Sequence, residues 1–160
     1  GPEGRLAAGA AMGASGTLDF ASAGEAERES WVRDLTGGRG ADVTIEATGD
    51  PAAVRQAMRC TRDAGRVVIA GQYTDRGDVT LNPHTDLNRK HLDVRGCWGS
   101  DFSHFHAAVR IMSDPERARP WSRLKLATYG LGGLDEALEA VERGRVVKAL
   151  VDPAEEDAAG

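Results

Sequence analysis

With 160 residues, 41% of them hydrophobic and 28% charged, the chain has the size and balance of an ordinary soluble α/β protein and not of a disordered or fibrous segment. Its 25 acidic against 20 basic side chains give a formal charge of -5, which excludes the basic field that a nucleic-acid or anionic-membrane partner requires. There is no apolar run near the roughly 20 residues of a membrane span and no charged-then-apolar leader, and Cys60 and Cys97 stand too far apart to suggest a disulfide framework or a paired metal motif, so a cytoplasmic setting is expected.

The chain opens without Met, and Gly1-Pro2-Glu3-Gly4 leads straight into a helical pattern with no strand before it, an odd start for an α/β unit that suggests a segment cut from something longer. Leu6, Ala7, Ala10, Ala11 and Met12 make a small-residue helical face that ends at Gly13, and Thr17 to Phe20 reads as a short strand stub. Glu25 to Leu35 is helical, with Trp31 and Leu35 on one face, and Gly37-Gly38-Arg39-Gly40 stops it. From Ala41 to Thr48, Val43, Ile45 and Ala47 alternate with Asp42, Thr44 and Glu46, which predicts a strand ending at Gly49.

Pro51 suits the first turn of a helix carrying Ala52, Val54, Ala57 and Met58 at helical spacing up to an Asp63-Ala64-Gly65 turn. Arg66 to Gly71 is almost wholly apolar, the pattern of a strand buried on both faces. Strand, helix and strand in alternation predict parallel pairing through right-handed crossovers. Val79 to Asn82 is a further short extended piece, Asp86 to Lys90 a helical turn and His91 to Trp98 a strand. Asp101 is placed to cap a helix through Met112; then Leu124 to Leu131 reads as extended, Leu134 to Glu142 as an amphipathic helix and Val146 to Val151 as a last strand.

Four histidines, His84, His91, His104 and His106, invite a metal site, but His104 and His106 are two apart on a helix and face away from each other, whereas helical ligand pairs stand three or four apart. No Gly-x-Ser-x-Gly elbow supports a nucleophilic triad. A phosphate-binding glycine loop must follow a strand and open a helix. Gly37 to Gly40 precedes a strand instead, and Gly-Leu-Gly-Gly at 130–133 is short and off-pattern, so both read as turns. What remains is positional: in a doubly wound sheet ligands lie beyond the carboxyl ends of the strands, here Thr48-Gly49, Gly71-Gln72 and Gly96-Cys97-Trp98. A glycine at each end lets backbone approach a ligand, or merely permits the turn, and the pattern alone leaves both open.

Residues 34–49 (DLTGGRGADVTIEATG) resemble, almost letter for letter, a phrase habitual in the medium-chain dehydrogenase/reductase superfamily. Further matches follow in the family's order: Gly65 to Gly71, Asn82-Pro83-His84, Asn88-Arg89-Lys90, Arg95 to Ser100, Asp135 to Ala140 and Val146 to Val151. Each piece is modest, but the ordered set covers residues 5 to 153 and is similar to the C-terminal portion of a zinc-type alcohol dehydrogenase. The resemblance implies a partial Rossmann fold, a doubly wound parallel sheet lacking its first strands, over residues 1–99. A strand-helix-strand return to the catalytic domain would occupy 100–160.

The resemblance further implies an NAD(P)-dependent alcohol dehydrogenase, with NAD favoured over NADP, whose zinc ligands and Gly-x-Gly-x-x-Gly turn lie outside this chain. The chain alone would therefore be inactive. Carried over position by position, Arg5 lies near the adenosine ribose, Thr48 and Gly49 line the cofactor groove, and Gly71 and Gln72 stand beside the nicotinamide ribose. Cys97 and Trp98 belong to the strand that meets the carboxamide, and Lys148 reaches the pyrophosphate, where a cation facing phosphates has a sound role. No catalytic or metal-binding residue is assigned. The implied partners are a dinucleotide, a small alcohol or carbonyl substrate and a second copy of the chain through the last sheet strand. Two alternatives stand beside this reading: a non-catalytic or split-subunit partner whose missing strands come from another chain, and a metal-free quinone or enoyl reductase of the same superfamily. With its first two strands absent, the sheet that the resemblance implies should keep strands four to six (Ala41 to Thr48, Arg66 to Gly71 and His91 to Gly96) together, and strand four should acquire a substitute neighbour, either the Thr17 to Phe20 stub or another chain.

Overall fold

A computed structural model of the protein describes residues 3–124 and 126–154. Helices α1 (Glu3–Ala11), α2 (Glu25–Leu35), α3 (Pro51–Cys60), α4 (Phe102–Met112), α5 (Pro115–Ala118) and α6 (Leu134–Glu142) are interleaved with strands β1 (Ala41–Glu46), β2 (Thr61–Ile69), β3 (Asp93–Gly96), β4 (Ala127–Tyr129) and β5 (Ala149–Val151). They form two compact units, one of Ala23–Ser100 and one of Gly1–Ser22 with Asp101–Gly160.

The 23–100 unit is a sheet in the order β1-β2-β3, parallel as the alternation of strand and helix predicts, with the three strands together as the resemblance implies. Register alternates the faces. Thr44, Val67 and Val94 share one rung and Glu46, Ile69 and Gly96 another, whereas Ile45, Val68 and Arg95 form the rung between them, which faces the opposite side. The core lies on the side of the first two rungs, where Val54 and Met58 of α3 pack with the fully buried Val67, flanked by Ala57, Ile69, Leu92, Val94 and the loop residues Val79 and Leu81. Thr44 belongs to this side because its hydroxyl bonds Thr61 Oγ1 at 2.6 Å and the Ala57 carbonyl at 3.3 Å. Val43 and Ile45, the apolar half of the alternation, are 51% and 67% exposed, so it is Thr44 and Glu46 that point inward.

The start of α3 is built locally: Asp50 accepts from Ala52 N at 2.9 Å and Pro51 occupies the first turn. Its end is built from a distance. Lys90 Nζ donates to the carbonyls of Met58 (2.6 Å), Arg59 (3.2 Å) and Thr61, satisfying acceptors that the last helical turn leaves open. Burial pushes the Lys90 ammonium down from its ordinary pKa. Asp86 is buried on the next segment, accepting from Asn82 N at 2.9 Å and Arg55 Nε at 3.2 Å, which ties the Pro83–Asn88 turn to α3. Its carboxyl is held below the usual range chiefly by the Asn82 amide, with Arg55 and Arg59 adding to the effect.

In the other unit β4 and β5 pair in parallel, joined through α6, giving the expected strand-helix-strand return. Ala137 and Ala140 are the buried face of α6. Asp101 caps α4 as expected, accepting from Ser103 N at 2.6 Å.

Three expectations fail. Thr17 to Phe20 is not a strand: Asp19 Oδ1 accepts from Ala21 N at 3.0 Å, an Asx turn that bends the chain directly after the stub. The outer edge of β1 consequently carries no strand among the described residues, so the stub is not its substitute neighbour. Val79 to Asn82 makes no ladder either; it is a loop anchored by Val79 and Leu81 in the core.

Candidate functional site

Because β1, β2 and β3 are parallel and adjacent, Thr48-Gly49, Gly71-Gln72 and Cys97-Trp98 all emerge at one end of the sheet. There the backbones of the first two segments are in direct contact. Gly49 has φ +74°, and a Cβ on it would lie 2.9 Å from the Gly71 carbonyl oxygen; a Cβ on Gly71 would lie 2.5 Å from Gly49 N and 2.7 Å from Thr48 N. Both positions exclude any other residue, so these glycines have a steric cause within the protein.

Glu46 locks the junction. Its buried carboxylate (3% exposed) accepts from Thr48 N at 2.6 Å, Thr48 Oγ1 at 2.7 Å and Gly49 N at 3.0 Å, while the other oxygen accepts from Gln72 Nε2 at 3.2 Å. Burial alone would raise its pKa, but the Thr48 hydroxyl and amide, the Gln72 amide and the Gly49 amide more than offset this and hold the carboxyl below its ordinary value. Sequence reasoning missed Glu46, because an acid alternating with valine and isoleucine reads as the solvated side of a strand. It also follows that the Thr48 hydroxyl and the Gln72 amide face inward to Glu46, as do the backbone N–H groups of Thr48 and Gly49.

The third segment joins from β3. Cys97 N donates to the Ile69 carbonyl at 2.9 Å, extending the ladder by one bond, and Trp98 stacks on Tyr73 with ring centroids 5.1 Å apart at 21°. Cys97 is a free, exposed thiol. Six of the eight expected site residues are therefore brought together in the 23–100 unit. Arg5 and Lys148 lie in the other unit. Arg5 donates to the Val141 carbonyl at 3.0 Å and borders a cavity of about 500 Å³ with Ala7, Ala8, Arg123, Leu126 and Val147. Lys148 is exposed just before β5, and its carbonyl accepts from Ala127 N at 3.4 Å.

No group of three or more His, Cys, Asp or Glu among the described residues is placed to hold a metal ion, so these side chains do not fit a zinc centre. A dinucleotide is a better fit, since the crevice beyond the carboxyl ends of adjacent parallel strands is the usual cofactor position of such sheets. No helix among the described residues is long and apolar enough to cross a membrane.

Comparison with known proteins agrees with this architecture. Residues 1–114 match the family described as zinc-binding dehydrogenase. The chain is 33% identical over 149 residues to erythritol/L-threitol dehydrogenase of Mycolicibacterium smegmatis, covering 89% of this chain and 37% of that one. It is 27% identical over 148 residues to 5-exo-hydroxycamphor dehydrogenase of Pseudomonas putida, covering 92% and 41%. Among solved structures, an alcohol dehydrogenase from Thermotoga maritima superposes with a TM-score of 0.82 at 30% identity, covering 94% of this chain and 41% of that one. The chain thus spans about two fifths of the length of the relatives it matches. From the family match over most of its length and the shared parallel α/β fold, the chain belongs to the zinc-binding dehydrogenases of the medium-chain dehydrogenase/reductase superfamily.

Proposed function

We propose that this chain is the cofactor-holding portion of an NAD(P)-dependent, zinc-type alcohol dehydrogenase, which transfers hydride between an alcohol and a nicotinamide dinucleotide. The observation that carries the reading is the Glu46-locked junction of Thr48, Gly49 and Gly71 at the carboxyl ends of adjacent parallel strands. When bound, the dinucleotide supplies the hydride acceptor or donor, with NAD the expected form. The residues of this chain position it. Thr48-Gly49 and Gly71-Gln72 present a fixed backbone wall, Cys97 and Trp98 continue that wall, Arg5 stands by the adenosine end, and Lys148 brings positive charge to the pyrophosphate. Zinc chemistry is assigned to residues outside this chain. Residues 1–99 are read as the remainder of the dinucleotide-binding domain and 100–160 as the return.

Titrating the full-length enzyme with NADH and NADPH tests this reading. Lys148→Ala should weaken binding of the preferred dinucleotide about ten- to a hundredfold, the value of a charge-assisted phosphate contact. An unchanged dissociation constant would remove Lys148 from the site, and failure of the intact enzyme to bind either dinucleotide would remove the function. The bare edge of β1 also favours a second reading, in which another chain supplies the missing strands. Co-purification of this chain with a second polypeptide carrying the Gly-x-Gly-x-x-Gly turn would establish it.

A further inference from the structure

Tyr73 lies one residue beyond the expected cofactor wall. Three contacts draw it into the wall. Its backbone N–H donates to the Gly71 carbonyl at 2.9 Å, a tight turn that fixes it to the end of β2. Its ring stacks on Trp98, and its hydroxyl accepts from Gly99 N at 2.9 Å. Gly99 has φ +66°, so this bond is made to the residue at which the chain turns away from β3. One side chain thereby joins the segment after β2 to the segment after β3.

These contacts contribute little to the core. Tyr73 and Trp98 are 55% and 77% exposed, and neither belongs to the Val54, Met58 and Val67 cluster. The hydrogen bond from Cys97 to Ile69 is the last ladder contact of β3, and beyond it Tyr73 supplies both the ring contact of Trp98 and the bond to Gly99. We propose that Tyr73 is a positioning residue for dinucleotide binding, a clamp that holds Cys97, Trp98 and Gly99 at a fixed distance from Gly71 and Gln72. The inference rests on the function proposed above.

The full-length enzyme provides the test through two variants. Tyr73→Phe keeps the ring and removes the acceptor for Gly99; Tyr73→Leu removes both contacts. The Phe variant should raise the NADH dissociation constant about three- to fivefold, the effect of one hydrogen bond, and the Leu variant about tenfold. KM for the cofactor should rise with it while kcat at saturating cofactor changes less, and thermal stability should be unaltered because the site is exposed. The near-ultraviolet circular-dichroism band of Trp98, held by the stacked ring, should persist in the Phe variant and vanish in the Leu variant. Loss of that band with NADH affinity within about twofold of wild type would overturn the proposal, as would a band that survives Tyr73→Leu. Should the Leu variant fail to fold, unchanged affinity in the Phe variant overturns it. Wild-type enzyme that binds no dinucleotide refutes the proposed function instead, so the two failures are distinguishable.

Discussion

Glu46 acts as a hydrogen-bond hub. Four donors from three residues converge on one buried carboxylate, and hydrogen bonds to a charged group contribute about 1.5–3 kcal/mol each in favourable cases. Because its folded pKa lies below the unfolded value of about 4.3, the stabilisation from its ionised form is fully present above that value and is lost as pH falls through the folded pKa. Glu46→Gln should therefore make unfolding less steep below about pH 4 and lower stability at neutral pH by about 1–3 kcal/mol; denaturant titrations across that range measure both. An acid limb identical to wild type would show that Glu46 does not carry the linkage. This role was illegible in the sequence for a physical reason. A strand's alternation shows which residues share a face but not which face is covered, and here Thr44 and Glu46 are drawn inward by Thr61, Ala57 and Gln72.

Helix α3 divides the legible from the hidden at the scale of an element. Asp50-Pro51 announces its start in consecutive letters, and the structure begins the helix there. Its end depends on Lys90, some thirty residues away, whose ammonium reaches three carbonyls and holds the chain before β3 against the end of α3. Lys90→Met should cost about 1–3 kcal/mol by leaving those acceptors unsatisfied, and urea unfolding measures it; a loss below about 0.5 kcal/mol would mean that water replaces the ammonium freely. Gly71→Ala should be at least as damaging, since its Cβ would meet three backbone atoms of the residues that follow β1, and it should weaken dinucleotide binding together with stability. The glycines at 49 and 71 were legible as strand ends, while their mutual contact was not, because nothing in the letters says that two turns touch. The Thr17 to Phe20 stub failed in the opposite way: its extended composition is overridden by the Asp19 turn that follows it.

The whole chain carries a sheet whose parallel pairing the strand-helix alternation foretold and whose order the family resemblance implied, and a family likeness that covers about two fifths of each relative. Because the family resemblance implies zinc ligands and a Gly-x-Gly-x-x-Gly turn outside these residues, purified chain alone should not reduce NAD in the presence of alcohols and zinc, and an absorbance assay at the NADH band checks this. β3 closes the sheet on its far side, which makes Asp93–Gly96 the natural pairing edge for a second copy; light scattering of the full-length enzyme should give a dimer or larger, and a strict monomer would count against that edge. On the other side, β1 leaves one edge without a strand among the described residues. Successive residues of a strand aim their N–H groups alternately to its two sides, so β1 keeps two clocks. In deuterated solvent the amides aimed at β2 should exchange slowly and those aimed outward about as fast as an open chain, giving a two-residue beat between Ala41 and Glu46. If any strand docks on that edge the beat disappears, and the slowing of the outward amides alone reports how much of the time the edge is filled.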